Sequence, residues 1–372
     1  MTELIWDGKY KDGKKVGPVR IALPFQTVET VNETAQERQL TLDMLISGRE
    51  TEWRNRLIWG DKKYVLPSLL PEFAGKVSLI YIDPPFATGA DFSFAATVPE
   101  SGESFTKEPS MIEQKAYRDT WGQGLDGYLQ WFYETVVILR ELLAEEGSIY
   151  VHLDWHVEHY IKEMLDEVFG SDNFINEIVW KRSDAKGYAT QGSHHYSRIQ
   201  DTILYYTKSA KAIWNTLYVP LGQDYIDNFY KYKDADGRRW KMENMLGPGG
   251  GAKGNPSYEV MGVTRYWRYS KERMQALIDA GLVVQTKPGT VPMQKKYLDE
   301  SKGVQVSTWW DDISMIRGWS GEKTGYATQK PEALLERVLK VSSNEGDLVL
   351  DCFCGSLCRV GGSFKCGESH LN

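Results

Sequence analysis

Apolar positions along this chain recur with two periods, and where they do, strands and helices alternate. The run Val77 to Ile82 (VSLIYI) is continuously apolar, as expected of a strand buried on both faces of a parallel sheet. Leu129, Phe132, Val136, Leu139 and Leu143 recur at helical spacing, and Gly147 closes that pattern ahead of SIYVHLD (148–154), a second strand. A helix through Met164, Leu165 and Phe169 and a strand at Ile178 to Trp180 follow. Asn55 to Trp59 reads as a further strand and Glu33 to Leu45 as a helix. From Lys181 to about Gly325 the patterning dissolves into polar and aromatic stretches. A short strand at Thr202 to Tyr206, a glycine cluster at Gly247 to Gly251 and a helix at Lys271 to Ala280 interrupt them. Order returns at Thr328. Pro331 suits the first position of a helix whose apolar face is Leu334, Leu335, Val338 and Leu339, and LVLDCF (348–353) reads as a buried strand.

This alternation predicts an α/β fold with a separate, irregular domain inserted between two α/β halves. The expected divisions are an N-terminal extension at 1–50, a first α/β half at 51–180, the inserted domain at 181–325 and a second half at 326–372. No apolar run approaches the roughly 18 residues of a membrane helix, and the opening residues lack the apolar core of a secretory signal. A cytoplasmic protein without a membrane partner is expected.

The net charge of -7 does not by itself suggest a nucleic-acid partner, but the basic residues are unevenly spread. Lys231, Lys233, Arg238, Arg239 and Lys241 stand against Asp234 and Asp236, and Arg265, Arg268, Lys271 and Arg273 against Glu272 alone. Both stretches interleave tyrosine and tryptophan, which suits phosphate contact and base stacking; a solvated face is the plainer reading. Arg238, Arg239, Arg265 and Arg268 are the candidate DNA contacts.

All four cysteines, Cys352, Cys354, Cys358 and Cys366, fall in the last 21 residues, at spacings unlike those of zinc sites. No metal is expected. His152, Asp154, His194 and His195 read as core or surface residues rather than ligands.

Asp83-Pro84-Pro85-Phe86, directly after the apolar strand, is the strongest chemical signal. By average residue usage such a string arises by chance in well under about 1% of chains this long. The exocyclic nitrogen of adenine is a poor nucleophile because its lone pair is delocalised into the ring. A carboxylate (Asp83) and a rigid carbonyl (Pro84) that accept both amino hydrogens would pyramidalise it. Pro85 fixes the turn, and Phe86 offers a face on which a flipped base can stack. The turn Asp351-Cys352-Phe353-Cys354-Gly355-Ser356 is weaker alone, since a glycine there only permits close approach of a cofactor.

Thr328-Gln329-Lys330-Pro331, a helix and then the DCFCGS turn resemble the methionine- and cofactor-binding motifs of amino-methyltransferases. The order DPPF, irregular domain, TQKP and DCFCGS is similar to the permuted beta class of bacterial DNA amino-methyltransferases, over about residues 50 to 356. ELLAEEGSIYVHLD, FINEIVWKR and DTILYYTKS also resemble core segments of that class. The resemblance implies a Rossmann-like methyltransferase sheet with an inserted target-recognition domain, using S-adenosylmethionine (SAM) to methylate N6 of an adenine flipped from double-stranded DNA. Asp83, Pro84, Pro85 and Phe86 would be catalytic; Asp351, Phe353, Gly355, Ser356, Gln329, Lys330 and Pro331 would hold the cofactor. In the family, aspartate at the first motif position favours adenine and serine favours cytosine. A restriction subunit or a second copy of the chain are the implied protein partners.

After Ser356 the pattern departs from the family. Leu357 and Cys358 replace the expected Gly and Thr, and the 16 remaining residues contain no apolar strand. The sequence therefore leads one to expect a truncated or frameshifted ending, with the last strands of the sheet missing and weak SAM binding. Two alternatives stay open: a catalytically impaired form that only binds DNA, and an N4-cytosine methyltransferase. A carbon-5 cytosine enzyme is disfavoured because no cysteine follows a proline.

Overall fold

The computed structural model describes residues 3–28, 55–86, 124–184, 194–318, 320–323 and 328–354, with the backbone of a short hairpin at 94–97 and 104–107. The chain divides into two compact units, Met1–Thr216 with Ser307–Asn372, and Leu217–Val306. The inserted unit is thus narrower than the expected 181–325. Both Gln200–Thr207 and Trp309–Trp310 belong to the larger sheet, the first hydrogen-bonded between two of its strands and the second pairing at its edge. The expected helix at Glu33 to Leu45 lies outside the described residues, and Asn55 to Trp59 is not a strand.

In the larger unit, α1 (Lys62–Phe73) precedes β1 (Val77–Ile82), α2 (Gly124–Leu142), β2 (Leu143–Leu153), α3 (Glu158–Phe169), β3 (Phe174–Lys181) and β4 (Gln200–Thr207). After the insertion come β5 (Trp309–Trp310), α4 (Glu332–Ser342) and β6 (Val349–Leu350). They form a six-stranded mixed sheet in the order β5–β3–β4–β2–β1–β6. β4 runs antiparallel to both neighbours and the other pairs are parallel, so the C-terminal ends of β1, β2, β3 and β6 share one edge with the start of β4.

Side chains alternate across a strand. Ile80, Ile82, Ile149, Val151 and Leu153 join one core with the stripe Leu129, Phe132, Val136 and Leu139 of α2. Tyr81, Tyr150 and His152 point to the other face, where the Tyr150 hydroxyl lies 2.7 Å from Ser342 Oγ of α4. Gly147 is required where β2 bulges against β1, since a Cβ there would stand 2.9 Å from the carbonyl oxygen of Val77. α1 contains Pro67 and Pro71, residues that mask it from pattern reading. The N-terminal stretch is no loose extension. Trp6 is buried in the main core, and the buried Lys9 ammonium donates to Glu167 Oε2 of α3 at 2.6 Å.

The inserted unit is built on an antiparallel sheet in which Arg239–Asn244 and Met293–Tyr297 are the central strands. A second hairpin, Ser257–Val260 with Val263–Tyr266, turns at Met261 and Gly262, both at positive φ, the backbone of a two-residue mirror-image turn. Met245, Val260, Trp267, Met274 and Leu277 form its core.

Candidate active site

Asp83 begins where β1 ends, and β6 beside it delivers Asp351 and Phe353 at the same edge. Open α/β sheets bind ligands beyond the carboxyl ends of their strands, where loops diverge and leave a crevice. The TQKP segment enters this edge from the start of α4, with Pro331 as the helix N-cap rather than its first residue. The Lys330 ammonium forms an ion pair with Asp83 Oδ2, both side chains being largely buried. It also stands 5.3 Å from the centre of the Phe86 ring. The Gln329 side chain donates to the Glu322 carbonyl at 2.7 Å.

Behind Phe86 lies a buried polar relay across three strands. Tyr81 Oη is 2.8 Å from His152 Nδ1, and His152 Nε2 is 3.3 Å from Asp201 Oδ2. His152 is fully buried, its ring 6.1 Å from that of Phe86 and edge-on to Trp180. The ring thus bridges the Tyr81 hydroxyl and the Asp201 carboxylate, with Nε2–H donating to Asp201. Arg182 Nε lies 3.2 Å from Asp201 Oδ1. Burial works to raise the Asp201 pKa, but the hydrogen bond and charge of His152, with Arg182 and Lys330, outweigh it and hold the carboxyl below its ordinary value.

On the β6 side, Asp351 Oδ1 accepts from the Phe353 amide at 2.8 Å. Burial pushes the Asp351 carboxyl up to about 7, helped by nearby Asp83 and opposed by that hydrogen bond and Lys330. The Phe353 ring meets Trp131 of α2 edge-on at 5.6 Å. Lys62 Nζ sits 3.3 Å from the Trp131 ring centre and donates to Thr135 Oγ1, and burial brings its pKa down to about 7.

Asp83 pairs with Lys330 and Asp201 with Arg182, while Asp351 beside them makes no ion pair among the described residues, a grouping of carboxyls that suits a cationic ligand. SAM, a sulfonium with an ammonium group, fits that donor set. The structure brings together Asp83, Pro84, Pro85, Phe86, Lys330, Asp351 and Phe353, while Gly355 and Ser356 lie outside the described residues. Sequence reading missed the relay. Its signal was His152, a lone polar residue inside an apolar strand.

In the inserted unit the four arginines divide. Arg238 donates to Asp299 and Glu300 and stacks 3.8 Å over Tyr297; Arg239 donates to Asp227 and to the carbonyls of Tyr230 and Ile226. Arg265 and Arg268 are exposed and have no carboxylate partner among the described residues. The unit carries fourteen lysines and arginines against ten acidic residues, a surplus of four in a chain of net charge -7.

Residues 77–362 match the N6_N4_Mtase family, described as DNA methylase. The type II methyltransferase M.EcaI of Enterobacter cloacae is 30% identical over 305 residues, covering 81% of this chain and 62% of that protein. The type III restriction-modification enzyme StyLTI Mod subunit of Salmonella typhimurium is 27% identical over 320 residues, covering 81% of this chain and 48% of that protein. The DNA adenine methyltransferase YhdJ of Escherichia coli is 25% identical over 283 residues, covering 76% and 66%. The chain thus spans about half to two thirds of the length of these relatives.

Proposed function

We propose that this chain, which belongs to the DNA methylase family, transfers a methyl group from SAM to the exocyclic N6 amine of adenine in double-stranded DNA. One observation carries this reading: the Asp83 carboxylate and Phe86 stand at the end of β1, immediately beside the Asp351–Phe353 turn of the adjacent parallel strand β6. When bound, SAM supplies an electrophilic methyl group.

The chain's own residues do the rest. Asp83 accepts one amino hydrogen of the adenine and the Pro84 carbonyl the other, drawing the nitrogen lone pair out of conjugation. Phe86 gives the flipped base a flat surface. Asp351, Phe353 and the TQKP segment flank the cofactor. Aspartate at position 83 is the family's adenine-favouring residue, so N6 is preferred to N4 of cytosine. Arg265 and Arg268 meet DNA phosphates; Arg238 and Arg239, committed to internal carboxylates and carbonyls, do not. Relatives named as type II methyltransferases and as a Mod subunit support a role as the modifying half of a restriction–modification pair.

The test is incorporation of labelled methyl groups from SAM into DNA, followed by identification of the modified base. Asp83→Ala should lower transfer by about a hundredfold or more while DNA binding survives. Ordinary activity in that variant would refute the assignment, and N4-methylcytosine as the product would shift it to the other amine.

A further inference from the structure

Beyond the carboxyl edge of the sheet, the turn from β2 into α3 carries an exposed tryptophan, Trp155. Its ring is held in place. Asp154, almost fully buried, accepts from the His156 amide at 3.0 Å and lies 2.6 Å from His156 Nδ1. The centre of the His156 ring is in turn 3.8 Å from that of Trp155. Arg198, just ahead of β4, sets its guanidinium carbon 3.8 Å over the Trp155 ring centre.

A guanidinium is planar, and its N–H donors all point outward from its edge. Stacking on an indole occupies the face and leaves those donors open. Arg198 is exposed, and among the described residues no acceptor takes them. Arg182, at the end of β3, is by contrast paired with Asp201. An arginine oriented by an aromatic platform, with no donor committed inside the fold, is ready to meet an anion in the paired geometry that phosphate accepts.

Strand register says which anion comes within reach. Ile82 of β1 is level with Val151 of β2, and His152 of β2 with Ile203 of β4. Asp83 therefore follows at the level of His152, and Trp155 and Arg198 stand further out beyond the same edge, flanking the crevice on its β4 side. The Asp351–Phe353 turn follows β6, three strand spacings from β4, about 14 Å. A cofactor held by that turn lies on the far side of β1, whereas a flipped adenine seated on Asp83 and Phe86 brings its backbone phosphates to the rim.

We propose that Arg198 binds a backbone phosphate of the DNA strand that carries the target adenine. This rests on the reading of the chain as a DNA methyltransferase. Arg198 is the binding residue, and Trp155 and His156 position it.

The test is binding of mixed-sequence duplex DNA by the full chain, titrated with salt. Arg198→Ala should weaken binding about tenfold and reduce the slope of log affinity against log salt by about one, with SAM affinity unchanged. Trp155→Ala keeps the charge and removes its platform, so affinity should fall about threefold, and Trp155→Phe should restore it. A loss of SAM affinity in Arg198→Ala, with DNA binding intact, would give the guanidinium to the carboxylate of the cofactor and overturn the proposal. If the unaltered chain takes up no duplex DNA, the methyltransferase reading falls and the proposal with it, whereas DNA binding that Arg198→Ala leaves untouched removes only the role of Arg198.

Discussion

Lys330 and Asp83, 247 positions apart in sequence, form an ion pair at the carboxyl edge of the sheet. The resemblance assigned Lys330 to the cofactor, yet its ammonium rests on the carboxylate proposed to receive the adenine amine. A lysine here holds Asp83 in place and balances part of the negative charge of the crevice.

Lys330→Met should therefore act on transfer more than on cofactor binding. The expected loss is about ten- to hundredfold in single-turnover rate, the scale of a charged hydrogen bond, with little change in SAM affinity. A fall in SAM affinity that accounts for the whole loss would return Lys330 to the cofactor.

The relay behind Phe86 predicts coupled effects. Tyr81→Phe and Asp201→Ala each remove one hydrogen bond that fixes the tautomer and tilt of His152. Each should slow transfer about tenfold, and the double variant hardly more than either single one, because both act through the same ring. Purely additive losses would mean that the two ends of the relay work independently.

Asp351 predicts a dependence of stability on pH. Its folded pKa, about 7, lies above the ordinary 3.8, so the fold binds this proton more tightly than the unfolded chain does. The stabilisation is complete below about pH 4 and lost as pH rises towards 7. Asp351→Asn keeps an oxygen for the Phe353 amide and should raise the unfolding midpoint relative to wild type at pH 8 but little at pH 4. An equal gain at both values would show that the carboxyl is not held up by burial.

The arginines of the inserted unit make a contrast testable by salt titration of DNA binding. Arg265→Ala and Arg268→Ala should each reduce the slope of log affinity against log salt by about one. Arg238→Ala should leave the slope unchanged and lower the thermal stability of the protein, since it strips Asp299 and Glu300 of their partner. A smaller slope in Arg238→Ala would place it at the phosphates after all.

Elements with a local, periodic pattern could be read directly from the residues. VSLIYI became β1 residue for residue, and the stripe on α2 became the buried face, because burial on one or both sides leaves an unambiguous repeat. The Asp83 to Phe86 motif was legible there too, because it is one contiguous turn; its part in methyl transfer is the role proposed above. Other features depend on contacts between distant segments. α1 was hidden by two prolines that its packing tolerates, and the limits of the inserted unit depended on which sheet claims Gln200–Thr207 and Trp309–Trp310. The pairing of Lys330 with Asp83, the relay from Tyr81 to Asp201 and the commitment of Arg238 to Asp299 each join residues from separate elements. Charge counted along a chain records how many basic residues there are. Which of them face a carboxylate and which face solvent is set by the register of strands paired across long loops, and no local pattern encodes that.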